Sequence, residues 1–100
     1  MIIVNQDKTE IINFDNTLNI SLYPKYDDLD NENGWEIYAG MKALDDNYRT
    51  LGYYKTKERA KEVLQEIIKK YEKIGLGTYF KSPMVEINGQ KSFVYEMPIE

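Results

Sequence analysis

Cysteine and histidine are both missing from this chain of 100 residues. The first absence excludes disulfides, thiolate metal sites and a cysteine nucleophile, and it fits a reducing, cytoplasmic setting. The second removes the commonest general base and the commonest zinc ligand. No stretch approaches the ~20 apolar residues that a membrane span needs, and the opening MIIVNQDKTE lacks the basic-then-apolar pattern of a leader, so the chain reads as soluble and unprocessed. Basic charge is scarce in the first third, where Lys8 and Lys25 stand against Asp7, Glu10, Asp15, Asp27, Asp28, Asp30, Glu32 and Glu36. That part repels nucleic acid. There is no nucleophile motif, no phosphate-cradling glycine loop and no helix-borne metal pair. Paired carboxylates occur only as Asp27-Asp28 and Asp45-Asp46, in turns with no apolar wall to raise a pKa. The expectation is a protein that is not an enzyme and carries no cofactor or metal.

What the chain does contain is one strong helix signal. From Thr56, the residues Ala60, Val63, Leu64, Ile67, Ile68 and Tyr71 recur at helical spacing, with Lys61, Glu62, Gln65, Glu66, Lys69 and Glu72 on the other side. Thr56 suits the N-cap and Glu58 the positive end of the dipole, whereas Arg59 stands where a capping box needs Glu or Gln. Lys69, Lys70, Lys73 and Gly75 mark the other end, placing the helix at about 57–73. Burying that stripe fully is worth on the order of 10 kcal/mol gross, so it needs a sheet to receive it.

The remainder reads as hairpins. Ile2–Asn5 and Thr9–Phe14 flank a polar turn. A three-residue loop over 15–17 then sets Phe14 beside Leu18 and Ile12 beside Ile20. Pro24 closes the following strand, and Lys25–Gly34 reads as an acidic surface loop whose spacing does not fit a calcium loop. Trp35–Ala43 and Tyr48–Lys55 pair around Asp45-Asp46-Asn47, with Met41 against Leu51, Ala39 against Tyr53 and Gly40 against Gly52. Leu76–Pro83 is irregular, and Asn88-Gly89 closes a last hairpin with Met84 beside Phe93 and Glu86 beside Lys91. The expected fold is one α+β domain over 1–100: an antiparallel β-sheet of consecutive hairpins, with the helix on one face packed against Phe14, Leu18, Ile20, Leu22, Trp35, Ile37 and Leu51.

Nine tyrosines and one tryptophan are the unusual resource. Tyr23, Tyr38, Tyr48 and Tyr54 are expected to leave the core, where tyrosine supplies contact area at low entropy cost, although outward tyrosines also simply suit strands. The opposed glycines are expected to leave a bare floor, or else to mark twist or a bulge. Arg49 and Arg59, the sole arginines, have the fork geometry to grip phosphate or carboxylate. Tyr38, Arg49, Tyr54 and Arg59 are therefore the candidate ligand-binding residues. A sheet with helix cover on one face and tyrosines on the other suits a symmetric homodimer.

The segments IIVNQDKTEIINFDN, LGYYKTKERAKEVLQEI and VYEMP together resemble small hypothetical proteins carried by phages and prophages of A+T-rich Firmicutes. The likeness covers most of the chain outside Lys25–Gly34 and Leu76–Ile87. It implies a non-enzymatic anti-defence binding protein acting in the host cytoplasm: a sponge for a nucleotide immune signal, or an acidic, nucleic-acid-mimicking inhibitor of a host defence protein.

Overall fold

The computed structural model describes residues 1–41, 48–75, 84–87 and 90–100. Thr56 starts the helix, its hydroxyl oxygen accepting from Arg59 N at 3.1 Å and its carbonyl from Ala60 N at 3.1 Å. From there α1 runs over Lys57–Gly75. Ala60, Val63 and Ile67 are fully buried, Leu64 is half-buried, and Lys61, Gln65 and Lys69 face water. The stripe thus faces the core as its spacing requires, but only over its first three turns. Ile68 and Tyr71, further along it, are 41% and 52% exposed.

The strands are β1 (Ile2–Val4), β2 (Ile11–Asn13), β3 (Thr17–Tyr26), β4 (Glu32–Met41), β5 (Tyr48–Tyr54), β6 (Met84–Ile87) and β7 (Gln90–Glu96). The fold is α+β, with antiparallel hairpins and the one long helix packed on them. They form two sheets, ordered β2-β1-β7-β6 and β3-β4-β5, in place of the single expected sheet. The division falls at Phe14–Asn16, which forms a 3-10 turn. Asn13 Oδ1 accepts from Asp15 N at 3.0 Å, and Phe14 O accepts from the Thr17 hydroxyl at 2.8 Å. These bonds steer the chain out of the first sheet instead of folding it back, so Phe14 and Ile12 do not pair with Leu18 and Ile20. Leu18 is consequently 73% exposed.

The first sheet is closed by a parallel pairing that no local sequence signal announces: Ile2 faces Val94 and Val4 faces Glu96. The β6–β7 hairpin has the expected register, Met84 beside Phe93 and Glu86 beside Lys91. The Asn88-Gly89 turn itself, the 76–83 segment and the Asp45-Asp46-Asn47 loop lie outside the described residues. In the second sheet, β3 runs through Pro24 to Tyr26. An edge strand tolerates proline where its nitrogen faces away from the neighbour. The acidic loop thereby shrinks to a turn between Tyr26 and Glu32, in which Asp27 Oδ1 accepts from Leu29 N and Asn31 N, each at 2.9 Å.

The β4–β5 register departs from expectation in two ways: the pairs nearest the turn are shifted by four residues, Gly40 meeting Tyr48 and Ala39 meeting Arg49, and a bulge falls at Leu51. At the bulge Ile37 faces Gly52 but Tyr38 faces Thr50, leaving Leu51 with no partner in β4. One extra residue exchanges the faces of all that follow. Tyr54 therefore points into the core, 2% exposed, and Tyr53 points out.

Gln6 holds this bulge in place. Its backbone N donates to Leu51 O at 2.7 Å, its Oε1 accepts from Tyr53 N at 2.7 Å, and its Nε2 donates to Tyr53 O at 2.9 Å. The same Nε2 reaches Pro98 O and Ile99 O at 3.1 and 2.8 Å. One amide side chain thus joins the β1–β2 turn, the β5 edge and the C-terminal segment. The turn that presents it is built by buried Asn5, whose Oδ1 accepts from Thr9 N and Glu10 N at 2.9 and 3.0 Å. The core this encloses draws on both sheets and the helix: Met1, Ile3, Ile12, Ile37, Ala39, Leu51, Tyr54, Ala60, Val63, Ile67 and Met97. Of the residues expected opposite the helix, Ile37 and Leu51 are fully buried, and Phe14, Ile20, Leu22 and Trp35 pack at the core margin.

Candidate functional site

Strand alternation places Ser21 and Tyr23 of β3, Glu36 and Tyr38 of β4, and Thr50 of β5 on the face turned away from the helix. Tyr23 and Tyr38 meet edge to face, with ring centroids 5.8 Å apart. With Tyr48 they line a hollow of about 410 Å³. Tyr23 and Tyr48 are 51% and 54% exposed. Behind them Lys25 Nζ lies 3.1 Å from Glu36 Oε1 and 5.6 Å from the centre of the Tyr53 ring. The Tyr38 phenol is held above its ordinary range, first by its hydrogen bond to the Glu36 carboxylate and then by burial. It stays a neutral donor at any physiological pH.

The glycines on this sheet are not a bare floor. A Cβ at Gly40 would lie 2.5 Å from Asn19 Oδ1 and 3.4 Å from the Tyr48 ring, so Gly40 is the bed on which those two side chains lie. Gly34, at φ +91, is likewise covered by the Tyr53 ring, whose hydroxyl donates to Asn33 O at 3.0 Å. Both are close approaches that only glycine permits. Gly52 faces Ile37 and not Gly40.

The four residues singled out from the sequence are not brought together. Tyr38 lies on the outward face. Arg49 faces Ala39, so it belongs to the opposite parity, and its Nε reaches Glu10 Oε2 at 3.7 Å. Tyr54 is a core residue whose hydroxyl donates to Pro98 O at 2.8 Å. Its phenol is pushed up to about 12, first by burial. Arg59 is committed within the molecule: Nη1 lies 3.1 Å from Glu62 Oε2 and 3.5 Å from Glu66 Oε1, and Nε donates to Glu100 O at 3.0 Å. Only Tyr54 and Arg59 are neighbours, on a hollow of about 270 Å³ shared with Thr56 and Ile99. Beside them the Tyr95 hydroxyl donates to Glu66 Oε2 at 2.7 Å, and burial followed by that carboxylate raises the Tyr95 phenol strongly. This second cluster ties α1 to β7 and the C-terminal segment, with each polar group already partnered.

The bulge at Leu51 separates Tyr54 from Tyr38 by sending Tyr54 through the sheet, while Tyr23 and Tyr48 stay on the face of Tyr38. Tyr48 carried the necessary sequence signal, a tyrosine two residues before Thr50 on the outward parity. Among the described residues no group of three or more acidic side chains is placed to hold a metal ion, and Asp27 is engaged by its own turn. Among the described residues no helix is long and apolar enough to cross a membrane. No protein-family model, no curated protein and no solved structure matches the chain.

Proposed function

We propose that the protein works by binding alone, holding the base of a small nucleotide on the outward tyrosine face and so withdrawing that nucleotide from solution. The observation that carries this is the hollow of about 410 Å³ walled by Tyr23, Tyr38 and Tyr48. Aromatic walls offer stacking of about 1–3 kcal/mol per base. Asn19 and Thr50 at its border supply donors and acceptors for a base edge, and Lys25, beyond Tyr23 and beside Glu36, is a cation for a phosphate. A sponge for a nucleotide immune signal, of the anti-defence kind the sequence resembles, needs no more machinery than this.

The test is a thermal-shift series against cyclic and ADP-ribose-derived nucleotides. At a hundred times its dissociation constant a ligand adds about 2.7 kcal/mol. Tyr23→Ala and Tyr48→Ala, at exposed positions, should remove the shift while leaving the unliganded melt nearly unchanged, and Arg59→Ala should leave the shift intact. A shift that survives both tyrosine changes refutes the assignment.

A second reading has its own observation. Asp28 and Asp30 stand exposed at the tip of the β3–β4 hairpin, where the Asp27 carboxylate is engaged by the turn. Such a tip can take the place of phosphates in a basic channel of a defence protein. Binding of that kind weakens steeply with salt, whereas a stacked nucleotide is much less sensitive.

A further inference from the structure

The β3 strand has an edge that no described strand covers, and its hydrogen-bonding direction is fixed twice over. On β5, Leu51 O and the backbone N and O of Tyr53 are taken by Gln6, so these groups point away from β4. Gly52 and Tyr54 between and beyond them therefore point toward β4, where they face Ile37 and Trp35. Ile37 and Trp35 then turn away from β3, which leaves their β3 partners, Leu22 and Pro24, with backbone groups facing outward. Pro24, having no N–H, demands the same orientation independently. From Asn19 to Pro24 the register is unbroken, with irregularities only at Leu18 and beyond Pro24. The free edge thus offers the N–H and C=O of Ile20 and Leu22 in a regular run, bounded by a bulge on one side and a proline on the other.

That run is complementary to an antiparallel copy of itself. Thr17–Tyr23 contains no charged side chain, so self-pairing sets no like charges opposite one another. The apolar side of the same edge is also unfinished. A groove of about 760 Å³ opens between β3 and the second half of α1, lined by Leu18, Ile20, Leu64, Ile68 and Tyr71 among others. Leu18, Ile68 and Tyr71 are the exposed members, at 73%, 41% and 52%.

We infer that β3 pairs with β3 of a second copy, about a two-fold axis at Ser21, to make a continuous six-stranded sheet. In this register Ile20 faces Leu22 of the second copy and Asn19 faces Tyr23, giving four main-chain hydrogen bonds from Ile20 and Leu22. Shifting the axis toward Ile20 requires the bulged Leu18 as a partner, and shifting it toward Leu22 requires the missing N–H of Pro24. Both helices come to lie on one side, where each copy's Leu18, Ile68 and Tyr71 approach the other's groove. The two tyrosine hollows share the opposite side. The inference does not rest on nucleotide binding, and its test uses none.

The absence of cysteine makes cross-linking decisive. Ser21 falls opposite its own copy in a pair that is not hydrogen-bonded, where Cα atoms lie about 4.5 Å apart, within disulfide range. Ser21→Cys should give a covalent dimer in high yield under mild oxidation. Asn19→Cys and Tyr23→Cys, whose own copies lie about 13 Å away along the strand, should give no covalent dimer singly but cross-link when mixed. Light scattering of the unmodified chain at about 100 µM, a concentration suited to a small interface, should give twice 11.8 kDa. A mass of one chain, a Ser21→Cys variant that stays monomeric, or Asn19→Cys cross-linking as readily on its own would each overturn the inference.

Discussion

Replacing Gln6 by alanine removes the acceptor of Tyr53 N and the donor to the carbonyls of Tyr53, Pro98 and Ile99 in one step. Those carbonyls sit at a half-open rim and can be hydrated, so their loss costs about 0.5–1.5 kcal/mol in total. The Tyr53 N–H lies at a bulge beside buried Leu51 and Gly52, and an amide left without an acceptor costs about 1–3 kcal/mol. Gln6→Ala should therefore destabilise by about 3 kcal/mol, a large share of the 5–15 kcal/mol typical of a domain. Urea unfolding should show a lower midpoint at unchanged slope, and the melting temperature should fall by about 12–24 °C. Gln6→Glu separates the two roles: it keeps an acceptor for Tyr53 N but aims a carboxylate at three carbonyls, which raises its folded pKa. The resulting penalty is absent below the unfolded value of about 4.3 and grows as pH rises through it, so this variant should recover on acidification while Gln6→Ala does not. A Gln6→Ala loss below about 0.5 kcal/mol, the size of an ordinary surface change, would refute the assignment of Gln6 as the tie.

Other expectations follow from the same geometry. Tyr54→Phe should cost about 1 kcal/mol for the bond to Pro98 O. Because the folded Tyr54 phenol titrates near 12 and the unfolded one near 10, the folded state keeps a proton that the unfolded chain loses; stability should fall as pH rises from 10 to 12, less steeply in Tyr54→Phe. Gly34→Ala, meeting both a left-handed φ and the Tyr53 ring, should cost about 1–3 kcal/mol, and Gly40→Ala less, because the Asn19 amide can swing aside; chemical denaturation ranks the two. Along α1, Ile67→Ala should lose about 3 kcal/mol and Ile68→Ala about 1 kcal/mol or less, a contrast the burial difference requires and equal losses would contradict.

The sequence made some of this legible because the information was local. The 3.6-residue stripe from Ala60 to Ile67, the Thr56 cap and the Asn88-Gly89 register are all written within a few residues of where they act. The bulge at Leu51 is not: it depends on Gln6, 45 positions earlier, arriving to take the groups the bulge turns outward. Counting back from the turn predicts pairs nearest the turn four residues from the observed ones and, without the bulge, sets every side chain beyond residue 51 on the wrong face, which puts Tyr54 and Tyr38 in one site. Pro24 misled for a related reason, since proline ends an interior strand but is harmless on an edge, and edges are a property of the assembled sheet. Leu18 looked like core because it alternates with Ile20 and Leu22, yet the 3-10 turn before it carries it past the helix.

The parallel contact between β1 and β7 bears on how the chain is made. Ile2 and Ile3 belong to the core, but the neighbour that completes their sheet, Val94 to Glu96, leaves the ribosome some ninety residues later. Until then the β1–β2 hairpin has an open apolar edge, and the β5 bulge has Gln6 but not the Pro98 and Ile99 carbonyls that share its amide. Contacts so distant in sequence slow folding and lengthen the life of partly built, adhesive states. The β3–β5 meander and α1, whose contacts are nearer neighbours, can assemble meanwhile, so the early hairpin is locked in only once β7 emerges, and a ribosome stalled before residue 94 holds a nascent chain in which β2 is the sole described neighbour of β1.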